Sequence, residues 1–291
     1  MIDDAVNAAI NPLEGEASKQ PELERKVEYI IDDAVKSVLE KYAKLAPSPT
    51  FGEYQTQIFG LELLVLTPTQ INIALQHIIQ TTPKEDAESF VTGLFLTRLI
   101  QDSYQQGNET FLLNTQDTQI SNLAYRLEAT NLKLTIKGNL GYSCGSESKG
   151  CSYIFESDAK DNCGFNSRDC TYVIKGNVGY SCGELSKGCS YTVEGDVGYS
   201  CGSASLGCSF VIDGNAGFNF GANARDSFYS IKGDFEGGCG WNSERCTFQT
   251  SNKQTYKHLK KLMPWWKRFT SGNKVKYTRK WDWLKKLIHW R

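Results

Sequence analysis

The sequence lacks any long run of apolar residues. Its longest run, residues 61–66, is interrupted by Glu62, whereas a helix that crosses a membrane needs about 20 apolar residues. The first nine residues include Asp3 and Asp4 and contain no basic stretch that leads into an apolar segment, so they do not have the pattern of a secretory signal. These absences predict a cytoplasmic protein and leave peripheral contact with a membrane surface open.

Histidine is scarce, with three residues in the whole chain. Within residues 1–107, His77 has no second histidine, cysteine or paired carboxylate at ligand spacing nearby. Metal and catalytic sites require several convergent side chains, so His77 is interpreted as an ordinary helix residue. The repeat region likewise shows no local cluster of carboxylates. We therefore predict that the protein is not an enzyme and has no catalytic residue, no cofactor, no metal site and no small-molecule substrate.

Acidic residues are nearly missing from the C-terminal end. Residues 251–291 contain 13 lysines and arginines and the single acid Asp282, which leaves 19 basic and 32 acidic residues in the first 250. An acidic body thus carries a basic tail, and partners must be considered separately for the two parts. With 40% hydrophobic and 22% charged residues over 291 positions, the chain can bury a sizeable core and form more than one domain.

The N-terminal part has the punctuation of helices. Apolar periodicity predicts three amphipathic helices, over residues 21–39, 68–80 and 82–107. Thr67 is the predicted cap of the second helix, and Thr82 and Glu85 have the spacing of a capping box at the start of the third. Residues 59–66 fit a helix or a strand. We predict an α-helical domain over residues 1–110.

The ten cysteines reveal a repeat with a 19-residue period. Five of them lie at multiples of this period from one another, and each has a second cysteine seven positions further on. The pairs are Cys144 and Cys151, Cys163 and Cys170, Cys182 and Cys189, Cys201 and Cys208, and Cys239 and Cys246. The one missing pair falls on schedule at Phe220 and Ser227, so the region contains six repeats.

Three further slots keep the same register. Glycine fills one slot in all six repeats, at positions 145, 164, 183, 202, 221 and 240. An aromatic residue fills the second: Tyr153, Tyr172, Tyr191, Phe210, Tyr229 and Phe248. Asparagine and aspartate alternate in the third: Asn139, Asp158, Asn177, Asp196, Asn215 and Asp234. This third row could line a calcium or sugar groove, but its place at a turn favours side-chain hydrogen bonds to the backbone.

These repeats predict a parallel β-solenoid, in which successive coils stack strand on strand. A 19-residue unit is too short for a propeller blade or a helix pair, and residues 189–194 alternate apolar and polar side chains with the period of a strand. Val178, Tyr180 and Cys182 alternate likewise, which predicts about two strands per coil. Residues 111–250 are assigned to six regular coils and a degenerate N-terminal coil that caps the stack.

The glycine pattern resembles a known repeat family. The segment VIKGNVGYSCG from Val173 and the segment KGCSYTVEGDVG from Lys187 are similar to the GXGXG repeat of the glutamate synthase C-terminal domain and of a structural subunit of formylmethanofuran dehydrogenase. The resemblance covers residues 132–250 and implies a right-handed parallel β-helix with a structural role. Cysteine stands where the family commonly has Ala or Gly. Because the relatives' glutamine-hydrolysing, flavin and iron–sulfur segments are missing here, the resemblance implies their fold and not their reactions.

Three interpretations of the cysteines stay open. If both cysteines of a coil point inward, each is a small buried hydrophobic residue in a tight interior. The joint loss of both members at Phe220 and Ser227 favours a pair in contact, such as a disulfide within each coil, although Phe beside Ser also fits simple packing. A metal or cluster site is the weakest interpretation, because seven-residue spacing differs from the C-x₂-C pairs of zinc sites. Packing is the preferred interpretation.

Residues 251–291 are predicted to form a basic, Trp-rich amphipathic helical tail. One helix runs before or across Pro264, and a second begins near Trp281 after a turn at residues 271–273. The tail could cap the open end of the solenoid, bind an anionic membrane surface, or bind nucleic acid or a protein. The residues proposed to contact an anionic surface are Lys260, Lys261, Trp265, Trp266, Lys267, Arg268, Arg279, Lys280, Trp281, Lys285, Lys286, Trp290 and Arg291.

The sequence thus predicts an α+β multidomain protein built on a right-handed parallel β-helix of 19-residue coils, with helices at both ends. The predicted function is that of a non-catalytic scaffold or interaction protein with an unidentified protein partner. Two alternatives are an accessory structural subunit of a redox or amidotransferase complex, which would co-purify with larger partners, and a carbohydrate-binding or carbohydrate-active β-helix, which would carry a groove lined by carboxylates.

Overall fold

The 19-residue repeats stack into a parallel β-solenoid of about seven turns. The computed structural model describes residues 31–45, 50–84, 90–269 and 273–277. Within these residues, nine strands form one sheet in chain order. The strands are β1 Thr110–Asn114, β2 Lys133–Lys137, β3 Ser152–Phe155, β4 Thr171–Ile174, β5 Ser190–Val193, β6 Ser209–Ile212, β7 Phe228–Ile231, β8 Thr247–Thr250 and β9 Lys274–Tyr277.

Neighbouring strands from β2 to β8 pair in parallel with a 19-residue offset. Tyr172, for example, lies opposite Tyr191. In the same way the N–H of Gly202 donates to the carbonyl of Cys182 in the preceding coil, at 2.8 Å. The predicted stacking of chain segments that are one repeat apart is therefore confirmed.

The prediction of about two strands per coil was wrong. Each regular coil has one four-residue strand, and its other ladder contacts to the next coil are single bridges such as Val178 to Val197 and Lys187 to Leu206. After Val178 the chain enters the left-handed region at Ser181, with φ 56°, and again at Leu185, with φ 61°. A left-handed residue turns the backbone, so an alternating sequence pattern does not extend into a second strand here.

Stacked aromatic rings fill the interior. The rings of Tyr172 and Tyr191 lie parallel with centroids 4.7 Å apart, and Phe210 continues the stack at the same distance. This spacing matches the separation of about 4.8 Å between paired strands, so register imposes the face-to-face geometry. The hydroxyl of Tyr191 donates to the carbonyl of Gly164 at 2.8 Å, and the buried polar atom is thereby satisfied.

Five helices have described bounds: α1 Asp33–Ala43, α2 Phe51–Phe59, α3 Pro68–Thr81, α4 Phe90–Gln105 and α5 Lys253–Phe269. The cap predicted at Thr67 is confirmed, since Thr67 and Gln70 exchange capping-box hydrogen bonds at the start of α3. Residues 61–67 form neither helix nor strand. Glu85, of the capping box predicted for the third helix, lies outside the described residues, as does the part of the first predicted helix before residue 31.

Helix α3 lies against strand β1, the N-terminal edge of the sheet. Its Asn72 side chain accepts the N–H of Asn114 at 3.0 Å, and its Gln76 side chain donates to the carbonyl of Asn114 at 2.6 Å. Gln76 is fully buried and also accepts from Gln116. Edge strands expose unpaired backbone groups, and here helix side chains pair them. The hydrophobic core is continuous from these helices into the coils.

Candidate functional site

The cysteines form two buried columns that run along the solenoid. The first column contains Cys144, Cys163, Cys182, Cys201, then Phe220, then Cys239; the second contains Cys151, Cys170, Cys189, Cys208, then Ser227, then Cys246. All ten cysteines are free thiols. Each is at most a few per cent exposed. The predicted inward orientation of both members of each pair is thus seen in the structure.

Sulfur contacts in the second column join residues of adjacent coils. The N–H of Cys170 donates to the sulfur of Cys189, and the N–H of Cys189 donates to the sulfur of Cys208, each at 3.4 Å. In the first column the thiol of Cys182 interacts with those of Cys163 and Cys201. These contacts join cysteines that are one repeat apart. The disulfide within each coil, between cysteines seven apart, stays a prediction.

Burial makes isolated thiols of these columns weak acids. Burial raises the pKa of Cys144 to about 12 and that of Cys246 to about 11. Burial alone raises the pKa of Cys239. The thiolate is the nucleophile and the metal ligand, so these three cysteines are protonated and unreactive near neutral pH. Among the described residues, no three His, Cys, Asp or Glu side chains are grouped to hold a metal ion.

The Asn/Asp row forms hydrogen bonds between coils. The Asp158 side chain accepts the N–H of Asn177 at 2.6 Å, and the Asn177 side chain accepts the N–H of Asp196 at 2.8 Å. The pattern continues through Asn215 and Asp234. The predicted bonding of this row to backbone is therefore seen, with the next coil as the donor. These oxygens serve the stack, which leaves less of their bonding capacity for a ligand.

A second aromatic column, on the surface, was missed by the sequence reasoning. Tyr180 and Tyr199 are about half exposed, and their rings stack with centroids 5.0 Å apart. Phe218 is exposed at the same slot of the next coil. The signal was present, since these residues also recur at 19-residue intervals. An exposed aromatic stripe is a feature that interaction surfaces share.

The C-terminal end of the described chain presents an amphipathic helix. Thr255 and Leu259 of α5 are buried, and the Thr255 hydroxyl donates to the carbonyl of Gly233 at 3.0 Å. The ring of His258 stacks on Phe235 with centroids 4.6 Å apart. One face of α5 thus lies on the last coils. Strand β9, which follows α5, pairs in parallel with β8 and was not anticipated from the sequence.

The opposite face of α5 is basic. We define the lysine face as the exposed residues Lys253, Lys257, Lys260 and Lys261. Three of them follow the i, i+4 spacing that aligns side chains on one side of a helix. Lys274 and Lys276 of β9 are exposed as well. Within the described part of the chain, no salt bridge joins any of these six lysines to an acid.

Most other tail residues proposed for surface binding are beyond structural test. Helix α5 continues across Pro264 to Phe269, so it includes Trp265, Trp266, Lys267 and Arg268, whose side chains lie outside the described atoms. The remaining proposed residues lie outside the described residues: Arg279, Lys280, Trp281, Lys285, Lys286, Trp290 and Arg291.

Comparisons with known proteins identify no relative. No family model, no curated protein and no solved structure matches the chain. Across the described residues, no helix has the length and apolar character needed to cross a lipid bilayer.

Proposed function

We propose that the protein is a non-catalytic scaffold that docks on an anionic membrane surface through the lysine face of α5. The observation that carries the proposal is the division of α5 into a buried face, Thr255 and Leu259, and an opposite face of four exposed lysines. A helix that only covered the last coil would need no such concentration of charge. Lysines near an anionic leaflet contribute about 1 kcal/mol each to binding.

The scaffold role is supported by how the interior is used. Stacked rings, thiols and backbone hydrogen bonds occupy the coils, as with Tyr191 and Cys189. Rigid solenoids of this kind present long surfaces to partners. In this proposal the helices α1–α4 form an N-terminal module that closes one end, and α5 is the cap that closes the other. The exposed column at Tyr180 and Tyr199 is available to a protein partner.

Membership in the GXGXG family and right-handed winding are part of the same proposal. Their support is the 19-residue register together with glycine in the left-handed conformation at a recurrent corner, as at Gly183, φ 63°, and Gly202, φ 65°. The family's structural role between catalytic parts is compatible with a scaffold. Cytoplasmic location with peripheral membrane contact belongs to this proposal as well.

Vesicle sedimentation of the full-length protein tests the docking. We expect binding to phosphatidylserine-containing vesicles at low salt and little binding to vesicles of phosphatidylcholine alone, because screening and headgroup charge govern such contacts. Changing the lysine face to glutamine at all four positions should weaken binding at least about tenfold. The matched control changes four exposed basic residues of the coils to glutamine: Lys133, Lys149, Arg168 and Lys187.

Equal losses in the two variants would overturn the assignment to α5, and an absence of binding to either vesicle would overturn membrane docking. A duplex DNA arm under the same conditions separates a second outcome. If the full-length protein binds the duplex and ignores anionic vesicles, the anionic surface is a phosphate backbone, with binding that falls steeply with salt. Circular dichroism of each variant checks that the solenoid is retained.

A further inference from the structure

The two cysteine columns place thiols of adjacent coils within reach of a covalent bond. Paired strands lie about 4.8 Å apart, and disulfides span Cα separations of about 4.4–6.8 Å. Cys170 sits directly before β4, and Cys189 directly before β5, whose first residues Thr171 and Ser190 are register partners. The 3.4 Å bond from the N–H of Cys170 to the sulfur of Cys189 shows that this sulfur points toward the neighbouring coil.

The first column has the same relation between coils. The N–H of Gly164 donates to the carbonyl of Cys144 at 3.0 Å, and that of Gly183 donates to the carbonyl of Cys163 at 2.9 Å. These bonds hold consecutive cysteines side by side. The thiols of Cys163 and Cys182 interact directly.

The fifth regular coil interrupts both columns. Phe220 separates Cys201 from Cys239, and Ser227 separates Cys208 from Cys246. Each column therefore has four consecutive cysteines followed by one that has no cysteine in the preceding coil. The sequence thus contains its own control, because Cys239 and Cys246 keep the seven-residue spacing and lack a cysteine one repeat earlier.

We propose that the columns are a thiol–disulfide modification site in which oxidation links cysteines of adjacent coils. A small-molecule disulfide such as glutathione disulfide is the oxidant. One cysteine thiolate attacks it and releases one small thiol, and the neighbouring cysteine then displaces the second. Two protein thiols become one disulfide, and the small disulfide is reduced to two thiols, so electrons and protons balance. Local opening of the coils gives the reagent access to these buried groups.

The proposal fixes a stoichiometry. Four consecutive cysteines per column form two bonds per column, which consumes eight thiols: Cys144, Cys163, Cys182 and Cys201 in the first column, and Cys151, Cys170, Cys189 and Cys208 in the second. Cys239 and Cys246 remain reduced. A disulfide within each coil would instead consume all ten thiols and would join Cys239 to Cys246.

The experiment incubates the full-length protein with excess glutathione disulfide, alkylates the remaining thiols and maps the peptides by mass spectrometry. We expect the thiol count to fall from ten to two, with the alkyl label on Cys239 and Cys246 and with cross-linked peptides whose cysteines lie one repeat apart. A bond between Cys239 and Cys246, an unchanged count of ten, or stable glutathione adducts without cross-links would each overturn the proposal.

Two serine variants sharpen the result. Cys170→Ser leaves Cys151 without a neighbour, so three free thiols are expected after oxidation, at Cys151, Cys239 and Cys246. Cys246→Ser removes an isolated thiol, so the cross-links stay unchanged and Cys239 alone is labelled. Under pairing within coils, Cys170→Ser would free Cys163 instead. That label on Cys163 would contradict the inter-coil geometry.

Discussion

The fourth and fifth regular coils, residues 196–214 and 215–233, differ in how they fill the same two slots. In the second column, Ser227 reproduces the contacts of a cysteine. Its oxygen accepts the N–H of Cys208 at 3.2 Å and donates to the carbonyl two residues earlier at 2.8 Å. Cys208 likewise accepts the N–H of Cys189 and donates to the carbonyl of Leu206. Hydrogen bonding, which oxygen and sulfur share, is therefore what this slot requires.

The first column is exchanged on a different principle. Phe220 is fully buried and packs its edge against Tyr229, with centroids 5.1 Å apart. The fifth coil also has Ala222 and Ala224, where the fourth has Ser203 and Ser205. A larger apolar side chain thus accompanies smaller neighbours in sequence. The comparison teaches that one slot keeps its bonding while the other keeps its filled volume.

The largest expected effect comes from Phe220→Ala. The change removes the ring that packs on Tyr229 and leaves a cavity in a fully buried place, so the free energy of unfolding should fall by about 4 kcal/mol. Urea titration followed by tyrosine fluorescence measures it. Phe220→Cys restores the pattern of the other coils and should still cost about 2 kcal/mol. A neutral Phe220→Cys would show that volume is not what this slot keeps.

The second effect concerns the recurrent glycine that both coils retain. A Cβ at Gly183 would lie 2.7 Å from Phe210 and 2.8 Å from Tyr191, and φ is +63°. We expect Gly183→Ala to lower the free energy of unfolding by about 3 kcal/mol, from backbone strain and overpacking together. Gly207, with φ +64° and no atom within 4 Å of its Cβ position, is the matched control.

Gly207→Ala carries the backbone strain alone, at about 1 kcal/mol. The difference between the two variants in urea titration isolates the contact with the aromatic stack. Equal losses would mean that the rings of Phe210 and Tyr191 move aside, and that glycine recurs only for its conformation.

The register of the solenoid was predictable because every slot carries the signal several times. Glycine, aromatic and Asn/Asp positions each repeat with the 19-residue period, so a single exception such as Phe220 does not obscure it. The cap at Thr67 was predictable for another reason, since capping acts between residues three apart. Local chemistry and repetition are both visible in one sequence.

What the sequence did not reveal depends on backbone conformation and on distant pairing. Ser181 and Leu185 adopt left-handed φ values, which their residue types do not indicate, and so a second strand was wrongly expected. Gln76 is buried because it bonds Asn114, 38 residues away. Strand β9 joins β8 across helix α5. Spacing alone likewise could not show that sulfur contacts run between coils.

The smallest effect tests the bonding slot directly. Cys208→Ser and Ser227→Cys exchange groups that accept the same backbone N–H and donate to the same kind of carbonyl, so each should change the free energy of unfolding by less than about 1 kcal/mol. Cys201→Ser is the contrast, because it places a hydroxyl in the column that Phe220 continues. Burial of that hydroxyl should cost about 2 kcal/mol. If Cys208→Ser proves as costly as Cys201→Ser in urea titration, sulfur itself is required in the second column, and Ser227 tolerates its place only through its own surroundings.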